Sequence, residues 1–492
     1  MTADHDRRWL ALAVIGVAQL MIILDSSIVN IALPDAQTAL HISNSDRQWA
    51  ITAYTLTFGG LLPLGGRIGD YLGRKRIFLM ALIGFAGASA LGGVAQNGAM
   101  LFGARAIQGV FAALLAPAVL SLVTTTFTEA KERAKAFAVY GAISGTGGAL
   151  GLIAGGALTQ YLSWRWTLLV NTPIAIAVAF AAFPLLKESR AEGDRRFDVP
   201  GTVAVTGGLA LLVYGFTEAS IHGWSAPRTL ALLIVAAIVL AQFIVWETRA
   251  ANPILPLRII LHRNRGGSYL AFLLATLGMF SSFLFLSYYF QNVLGYSPLK
   301  AGIAFLPFPL GVITSSTIAS KTLPRFGPRA LAITGFSLAT LGMLWLTQLP
   351  PHSAYLAHVV PSELLISLGM GQVFVPLSST ALLGVPNHDA GAASALVNTM
   401  QQIGGSLGIA LLNTIATSAT VSYATSHHVV PTSAAAAVHG FTTAFAVSVG
   451  IMLLALITVA TLIRRPPAPD APAAGEGVPE QRHDLEPVLV GA

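Results

Sequence analysis

The sequence predicts an all-α polytopic membrane protein. Of its 492 residues, 54% are hydrophobic and only 10% are charged, whereas soluble domains carry about 25% charged residues. The stretches 77–104, 106–128 and 136–164 contain no Asp, Glu, Lys or Arg, and each exceeds the roughly 20 residues that cross a hydrocarbon core. Cysteine is absent, which excludes disulfides, thiolate nucleophiles and cysteine-bound metals.

Polar segments and Pro- or Gly-rich breaks divide the chain into fourteen predicted transmembrane spans. In chain order, the spans cover residues 9–33, 48–65, 77–95, 100–124, 137–158, 165–186, 200–219, 229–247, 267–290, 299–320, 330–349, 354–377, 391–416 and 440–463. The first span follows Arg7 and Arg8, but it is too long for the core of a signal peptide and no small-residue cleavage site ends it. We therefore expect it to remain as the first membrane anchor.

The distribution of basic residues predicts the orientation of the spans. An even number of spans places both ends of the chain on one side of the membrane. With the N-terminus inside, cytoplasmic segments hold 23 of the 28 Lys and Arg, as the positive-inside rule requires. We expect a multi-pass protein of the cytoplasmic membrane with both termini in the cytoplasm. The net charge of +7 then reflects topology, and we expect no nucleic-acid partner.

A faint internal repeat predicts how the spans are grouped. The stretch "GGALG" (147–151) in span 5 is repeated as "GGSLG" (404–408) in span 13. The loops after spans 2 and 10 also keep a glycine and a basic residue in register, Gly327 and Arg329 in the second copy. The offset of eight spans predicts six, two and six spans, and repeated halves are usual in secondary transporters.

The predicted parts of the chain follow from this repeat and from composition. They are an N-terminal six-helix bundle (1–190), two additional helices with their loops (191–262), a C-terminal six-helix bundle (263–465) and a cytoplasmic tail (466–492). The tail is rich in Pro, Ala and acidic residues and cannot bury a core, so we expect it to be disordered.

Three ionisable residues lie well inside predicted spans. Asp25, in the stretch "LDSSIVNIALP", would cost roughly 2.5–3.5 kcal/mol near the middle of a span, so a function should offset that cost. Arg105 in span 4 and Glu363 in span 12 lie at a depth comparable to that of Asp25, at about 1.5 Å per residue. Opposite charges at one depth pair or line a wet cavity. We therefore predict that Asp25, Arg105 and Glu363 couple transport to protons.

Two alternatives to this prediction stay open at the level of sequence. Asp25 and Arg105 would also fit a purely structural buried pair. Glu363 would lie among the lipid headgroups if span 12 began later than residue 354.

The loop "GRIGDYLGRKR" (66–76), called the signature loop below, is the most specific stretch in the chain. Gly66 and Gly73 frame Asp70, and basic residues follow it. An ordinary positive-inside loop would explain the bases but not the glycines around the acid. The loop resembles the signature of the major facilitator superfamily between spans 2 and 3. That resemblance implies a latch between the two halves on the cytoplasmic side, formed by Gly66, Asp70, Gly73, Arg74 and Lys75.

Other stretches resemble the same superfamily along most of the chain. The stretch 101–109 resembles the span-4 motif of proton-driven facilitators, although Phe111 stands where glycine is usual. The stretch 147–156 resembles the span-5 motif of antiporters, with Leu152 where proline is usual. The stretches "LDSSIVNIALP", "WRWTLLVNTP" and "FDVPG" resemble the fourteen-span drug:proton antiporter subfamily. The resemblance implies the major facilitator fold, with two six-helix bundles and two extra central helices.

The glycines of span 5 also carry a prediction that rests on spacing alone. Small residues four apart let helix backbones approach and slide, although static packing would use them equally well. The predicted contact residues are Gly147, Gly148, Gly151, Gly155 and Gly156.

The expected function is proton-coupled antiport that exports small amphiphilic compounds by alternating access. We expect a monomer in the lipid bilayer with no catalytic residue, no metal and no cofactor, driven by the proton gradient. Polar and aromatic side chains in the spans suggest a substrate cavity lined by Asn30, Tyr54, Gln108, Phe283 and Gln372. A membrane enzyme would need a metal or nucleophile motif, and a primary pump would need a Gly-Lys phosphate loop; neither occurs. An exporter dedicated to one metabolite or antibiotic, or a transporter-like sensor, remains an alternative.

Overall fold

The computed structural model describes an almost entirely helical chain. It covers residues 2–127, 129–190, 198–250, 253, 257–351, 355–385 and 390–464, except for the side chains of some helical residues. The side chain of Asp70 and the predicted tail at 466–492 lie outside the described residues.

Sixteen α-helices follow one another in the described part. They are α1 (Thr2–Ala39), α2 (Trp49–Leu72), α3 (Arg74–Gly93), α4 (Gly98–Thr126), α5 (Ala130–Tyr161), α6 (Trp166–Leu169), α7 (Asn171–Leu185), α8 (Val199–His222), α9 (Pro227–Glu247), α10 (Leu257–Ile260), α11 (Arg263–Tyr288), α12 (Pro298–Ala304), α13 (Pro307–Leu346), α14 (Tyr355–Leu382), α15 (Ala390–His427) and α16 (Ala434–Leu462). A π-helical turn, Tyr289–Val293, extends α11.

Each of the fourteen predicted spans falls on described helix. Span 6 is shared by α6 and α7. Spans 10 and 11 both lie within α12 and α13, and Gly327 turns the chain inside α13 with φ of 76°. Eleven helical segments of the described part are long and apolar enough to cross a membrane, and one of them, 298–346, contains spans 10 and 11. The prediction of an all-α polytopic membrane protein is confirmed.

The helices form two halves with a pair of helices between them in sequence. In the first half, α1 packs on α5 and α7, and α4 packs on α2 and α3. In the second half, α11 packs on α15 and α16, and α13 packs on α14. We call the side where α1 begins and α16 ends the terminal face, and the opposite side the distal face. The halves meet where α2 contacts α15 and where α5 contacts α12.

The repeat in the sequence corresponds to the same packing in both halves. A Cβ added at Gly147 or Gly151 would meet atoms of α1, and a Cβ added at Gly404 or Gly408 would meet backbone atoms of α11. Because glycine lacks a side chain, α5 can pack closely against α1, and α15 against α11. The two "GG-x-LG" stretches thus perform the same packing task in the two halves.

The two repeated loops also have corresponding geometry. Gly73 and Gly327 both have positive φ, 112° and 76°, a region that residues with a Cβ rarely adopt. Two residues further on, Lys75 donates to a carbonyl near the end of α7 at 2.6 Å, and Arg329 donates to a carbonyl near the end of α16 at 2.7 Å. Each loop is therefore fastened to the last helix of its own half.

Helices α8 and α9 pack on each other and lie against the line where the halves meet. Leu56 of α2, Leu209 of α8 and Ile403 of α15 form a small hydrophobic cluster. Closer to the distal face, Thr414 of α15 donates to the carbonyl of Phe216 of α8 at 2.9 Å. Helix α8 therefore covers the α2–α15 seam.

Polar contacts join the two halves near the distal face. Arg47, between α1 and α2, donates from Nε to Asn413 Oδ1 at 3.0 Å, and its guanidinium lies 4.1 Å from the ring centre of Tyr288. Ser287 Oγ donates to the carbonyl of Asn30 at 2.6 Å. These bonds link α1 and α2 to α11 and α15, so the halves are in contact at this face.

The contact between α5 and the second half ends before the terminal face. A Cβ added at Gly156 would meet backbone atoms of α12, and one added at Gly302 of α12 would meet the carbonyl of Leu152. Gly148 lies about two turns nearer the terminal face than Gly156, and no described atom lies within 4 Å of a Cβ added there. The described contacts between α5 and α12 thus do not extend to Gly148.

Candidate functional site

Asp25 and Arg105 form an ion pair inside the first half. Arg105 Nη1 lies 2.6 Å from Asp25 Oδ2, and the exposed fractions of the two residues are 1% and 0%. Asp25 lies in the part of α1 that crosses α4, and Arg105 lies two turns into α4. Asn97 caps α4 by accepting the backbone N–H of Met100 at 2.9 Å, which fixes where that helix begins. The predicted pairing at matched depth is what the structure shows.

The carboxylate of Asp25 accepts hydrogen bonds from three side chains. Besides Arg105, Asn171 Nδ2 at the start of α7 donates to Oδ1 at 2.8 Å, and Gln108 Nε2 donates to the same oxygen at 3.1 Å. A buried carboxylate needs such donors because the water that would solvate it is absent. We call Asp25, Arg105, Gln108 and Asn171 the Asp25 network.

Arg105 has further partners that do not depend on Asp25. Its Nε donates to the carbonyl of Ala50 at 2.9 Å, and its Nη1 also donates to Gln108 Oε1 at 2.9 Å. Its guanidinium lies 4.4 Å from the ring centre of Tyr54, a distance at which a cation and an aromatic face attract. The guanidinium therefore keeps polar and aromatic contacts if Asp25 becomes neutral.

The profile of the Major Facilitator Superfamily matches residues 15–409. The chain belongs to this superfamily. The curated relatives of this facilitator include the puromycin resistance protein pur8 of Streptomyces alboniger, which is 49% identical over 93% of this chain and 92% of that protein. The cephamycin export protein CmcT of Amycolatopsis lactamdurans is 39% identical over 83% of this chain and 85% of that protein.

Solved structures share the fold of this facilitator at low sequence identity. A bacterial homologue of the human lysosomal transporter Spinster, crystallised in an inward-facing and unoccupied conformation, gives a TM-score of 0.65 at 15% identity. The match covers 92% of this chain and 96% of that chain. The protein is therefore a multi-pass membrane transporter with the major facilitator fold.

Two of the five predicted cavity residues of this facilitator contact the ion pair. Gln108 is part of the Asp25 network, and Tyr54 packs against Arg105. Tyr54 and Gln108 are both fully buried. Gln108 bridges Asp25 and Arg105 and also donates to Ser89 Oγ at 2.7 Å. In the conformation described, both side chains contact the ion pair, and neither is exposed to a cavity.

The other three predicted cavity residues are dispersed. Asn30 is half-buried on α1, and its amide turns back to carbonyls of its own helix. Phe283 is half-buried against Phe305 and Phe308, with ring centres 5.7 and 4.8 Å away. Gln372 of α14 accepts from Thr334 of α13 at 2.7 Å. No described hydrogen bond or ring contact joins these three side chains to one another.

Glu363 is buried inside the second half, away from the Asp25 network. Its exposed fraction is 2%, so it does not lie among headgroups. Within the part of the chain that the structure describes, neither of its carboxylate oxygens has a hydrogen-bond partner. The structure brings Asp25 and Arg105 together but does not bring Glu363 to them.

The signature loop of this facilitator is held by the segment after α7. Glu188 Oε1 and Oε2 accept the backbone N–H groups of Lys75 and Arg76, each at 3.1 Å. A Cβ added at Gly73 would lie 2.6 Å from Glu188, so glycine is required there for both φ and space. The backbone N–H of Arg74 donates to the carbonyl of Ser189 at 3.0 Å.

These contacts fasten the loop within the first half. Gly66 also faces the first half, since a Cβ added there would meet Pro117 of α4 at 3.6 Å. The described contacts of Gly66, Gly73 and Lys75 are therefore with the first half, and none of them reaches the second half. The latch contact of the Asp70 side chain lies outside the described residues.

Four of the five predicted glycines of span 5 lie at helix contacts. Added Cβ atoms at Gly147, Gly151 and Gly155 would meet α1, and one at Gly156 would meet α12. Gly148 has no described atom within 4 Å of an added Cβ. Close packing at Gly148 is therefore not seen among the described residues in this conformation.

Sequence reasoning missed Asn171 and Ser89, which complete the polar surroundings of Asp25. Both are buried, with exposed fractions of 2% and 0%. Asn171 lies in the stretch "WRWTLLVNTP", where an amide inside an apolar span was an available signal. An amide carries no charge, so a pattern of ionisable residues does not include it.

Proposed function

We propose that this facilitator exports small amphiphilic compounds from the cytoplasm in exchange for protons. The observation that carries the proposal is the Asp25 network, a buried ion pair with amide donors in the core of the first half. Buried charges of this kind are costly in a membrane and mark ion or proton pathways. The two relatives above are named for puromycin resistance and for cephamycin export, which supports an antibiotic-like substrate.

The orientation assigns the two faces to the two compartments. The terminal face carries most of the Lys and Arg and is the cytoplasmic face of the cytoplasmic membrane, with both termini inside. The described conformation is then closed toward the outside by Arg47 and Ser287 and parted toward the cytoplasm. Alternating access would move the contact to the terminal face, where the signature loop would latch the halves.

The proton step belongs to Asp25. When ionised, Asp25 is held by Arg105, Asn171 and Gln108. A proton arriving from outside neutralises the carboxylate and weakens these charge-assisted bonds. Arg105 then keeps the carbonyl of Ala50 and the Gln108 oxygen, so the proton can come and go without leaving a bare guanidinium.

Glu363 serves the same cycle from the second half. A carboxylate buried with no donor is costly, and such groups normally neutralise instead. Glu363 therefore holds a proton while it is enclosed and exchanges it when the second half admits water. The protein acts as a monomer with no cofactor, and the proton gradient is its energy source.

Transport into everted membrane vesicles tests this function. With an acid interior imposed, vesicles that contain the protein should accumulate puromycin, and collapse of the pH gradient should stop the accumulation. Vesicles without the protein are the control. Equal accumulation with and without the pH gradient would contradict proton coupling. Tight binding without accumulation would favour the sensor alternative, and transport of a single compound from a broad panel would favour a dedicated exporter.

A further inference from the structure

Helix α7 connects Asp25 to the signature loop. At its first residue, Asn171 donates to Asp25 Oδ1 at 2.8 Å. Near its other end, the carbonyl of Phe183 accepts from Lys75 Nζ at 2.6 Å. Glu188, just beyond the helix, accepts from the backbone of the signature loop. One rigid element therefore contacts the buried carboxylate at one end and the loop at the other.

The two contacts lie at opposite ends of α7, farther apart than the hydrocarbon thickness of one bilayer leaflet. Helix α7 has 15 residues, so it is roughly 22 Å long at 1.5 Å per residue. A second bond near its start, from Thr172 Oγ1 to the carbonyl of Ala86 at 3.0 Å, ties α7 to α3 instead of α1. Asn171 and Thr172 are thus neighbours that anchor one helix to two different partners.

The Asn171 bond depends on the charge of Asp25, and the Thr172 bond does not. An amide that donates to a carboxylate makes a charge-assisted bond, which is roughly twice as strong as a bond between neutral groups. The other charged or titratable groups beside Asp25 are Arg105 on α4 and Tyr54 on α2. Both of these groups lie on other helices. Among the described side chains of α7, Asn171 is the one that hydrogen-bonds to Asp25.

We propose that Asn171 is a positioning residue through which the charge state of Asp25 is transmitted along α7 to the signature loop. The inference rests on the proposed proton step at Asp25 and extends it. Ionised Asp25 holds the start of α7 against α1. Neutral Asp25 releases it, and α7 carries the shift to Phe183 and Glu188, which hold the signature loop.

A pair of spin labels can follow the loop directly. The chain has no cysteine, so Arg76→Cys and Phe326→Cys place labels at exposed positions beside the two repeated loops. The label distance should change with pH in this background, and Asp25→Asn should abolish the change. Asn171→Ala should reduce the change to less than half, whereas the matched variant Thr172→Ala should keep it.

The pH profile of transport gives a second readout that a merely structural role would not move. Donors stabilise the ionised form of Asp25, so losing one makes protonation possible at higher pH. Asn171→Ala should therefore move the transport midpoint upward by about one to two pH units, the shift expected for loss of one hydrogen bond to a charged group. Asn171→Asp, which replaces the donor by a second acid, should move it further. Thr172→Ala should leave the midpoint in place.

The outcomes separate this inference from the function it rests on. If Asp25→Asn keeps the pH-dependent distance change, the proposed proton step itself is wrong. If Asp25→Asn abolishes the change but Asn171→Ala keeps both the change and the midpoint, only the role of Asn171 is overturned. Should Asn171→Ala insert poorly, Asn171→Ser retains a shorter donor and should give an intermediate midpoint, and an unchanged midpoint there would equally overturn the inference.

Discussion

A carboxylate at the centre of a membrane span is tolerated only when its surroundings replace water. Asp25 meets this condition through Arg105, Gln108 and Asn171, all three of which are themselves buried. The arrangement is more than a bare ion pair, because Arg105 also has partners independent of Asp25. At the scale of the residue, the site can therefore lose one charge without losing its structure.

Replacing Asp25 by Asn tests this reading. Asn keeps the shape of Asp but cannot cycle a proton. Because Arg105 retains the Ala50 carbonyl and Gln108, we expect the amount of inserted protein to stay within about twofold of the wild-type amount. A buried arginine left without any partner would instead lower the stability of the protein by about 3–5 kcal/mol. Uptake driven by a pH gradient should fall to the level of empty vesicles. Asp35→Asn, an exposed acid on the same helix, should change neither quantity, and uphill pumping by Asp25→Asn would refute the coupling role.

At the scale of the element, α5 shows how one helix serves two contacts. Gly147, Gly151 and Gly155 keep α5 against α1 inside the first half, while Gly156 faces α12 of the second half. The first contact lies within one half, and the second lies between parts that would move in the proposed transport cycle. Gly148, on the moving side, faces open space in the described conformation.

Valine substitutions should separate these two contacts. Gly151→Val would collide with α1 and should lower the stability of the protein by about 1–3 kcal/mol, as overpacking does. Gly148→Val should leave thermal unfolding unchanged but slow transport several-fold, because the terminal face must close on this side of α5. Gly87→Val on α3, which is exposed with no described atom within 4 Å, is the control. Normal turnover of Gly148→Val would show that this side never closes.

The sequence predicted the elements well and their neighbours less well. Long apolar stretches predicted the helices because crossing lipid requires about 20 apolar residues, and eleven helical segments of the described part are long and apolar enough to cross. Matched depth predicted the pairing of Asp25 with Arg105. Spacing could not tell Gly148 from Gly151, since it does not say which helix each side will meet. Depth alone placed Glu363 beside the pair, although the bundle that contains α14 keeps it apart. Asn171 was missed because an amide has no charge to draw attention in an apolar span.

At the scale of the whole molecule, a small set of contacts closes the distal face. Arg47 is buried there, with Asn413 and the Tyr288 ring as partners on the second half. A desolvated cation–π contact is worth about 2 kcal/mol, and a hydrogen bond to a charged group is worth about 1.5–3 kcal/mol. These contacts are large enough to bias the balance between the two open conformations.

Arg47→Ala should therefore favour opening of the distal face. A cysteine placed at Asn30, beside this contact, should react about tenfold faster with an impermeant thiol reagent added outside intact cells. Arg228→Ala removes an exposed arginine of α9 and is the matched control. Equal reaction rates in all three backgrounds would mean that Arg47 does not hold the halves together.

Orientation itself can be tested with reporters. A reporter fused after Arg465 and one inserted at Glu192 should both read cytoplasmic, because the basic residues cluster on the terminal face. A reporter inserted at Gly223, in the turn between α8 and α9, should read external. An external signal from either of the first two would invalidate the span count.

The pair α8–α9 makes the two lipid-facing sides of the molecule different from each other. Two bundles related by an internal repeat have two seams, and α8 covers the one at α2 and α15. Among the described helices, this leaves the seam between α5 and the second half as the side from which the hydrocarbon chains of the bilayer would approach the transport path. An amphiphile that partitions into the membrane before export would thus meet one lateral entrance instead of two. Such compounds would collect in the bilayer and enter the protein from one side of it.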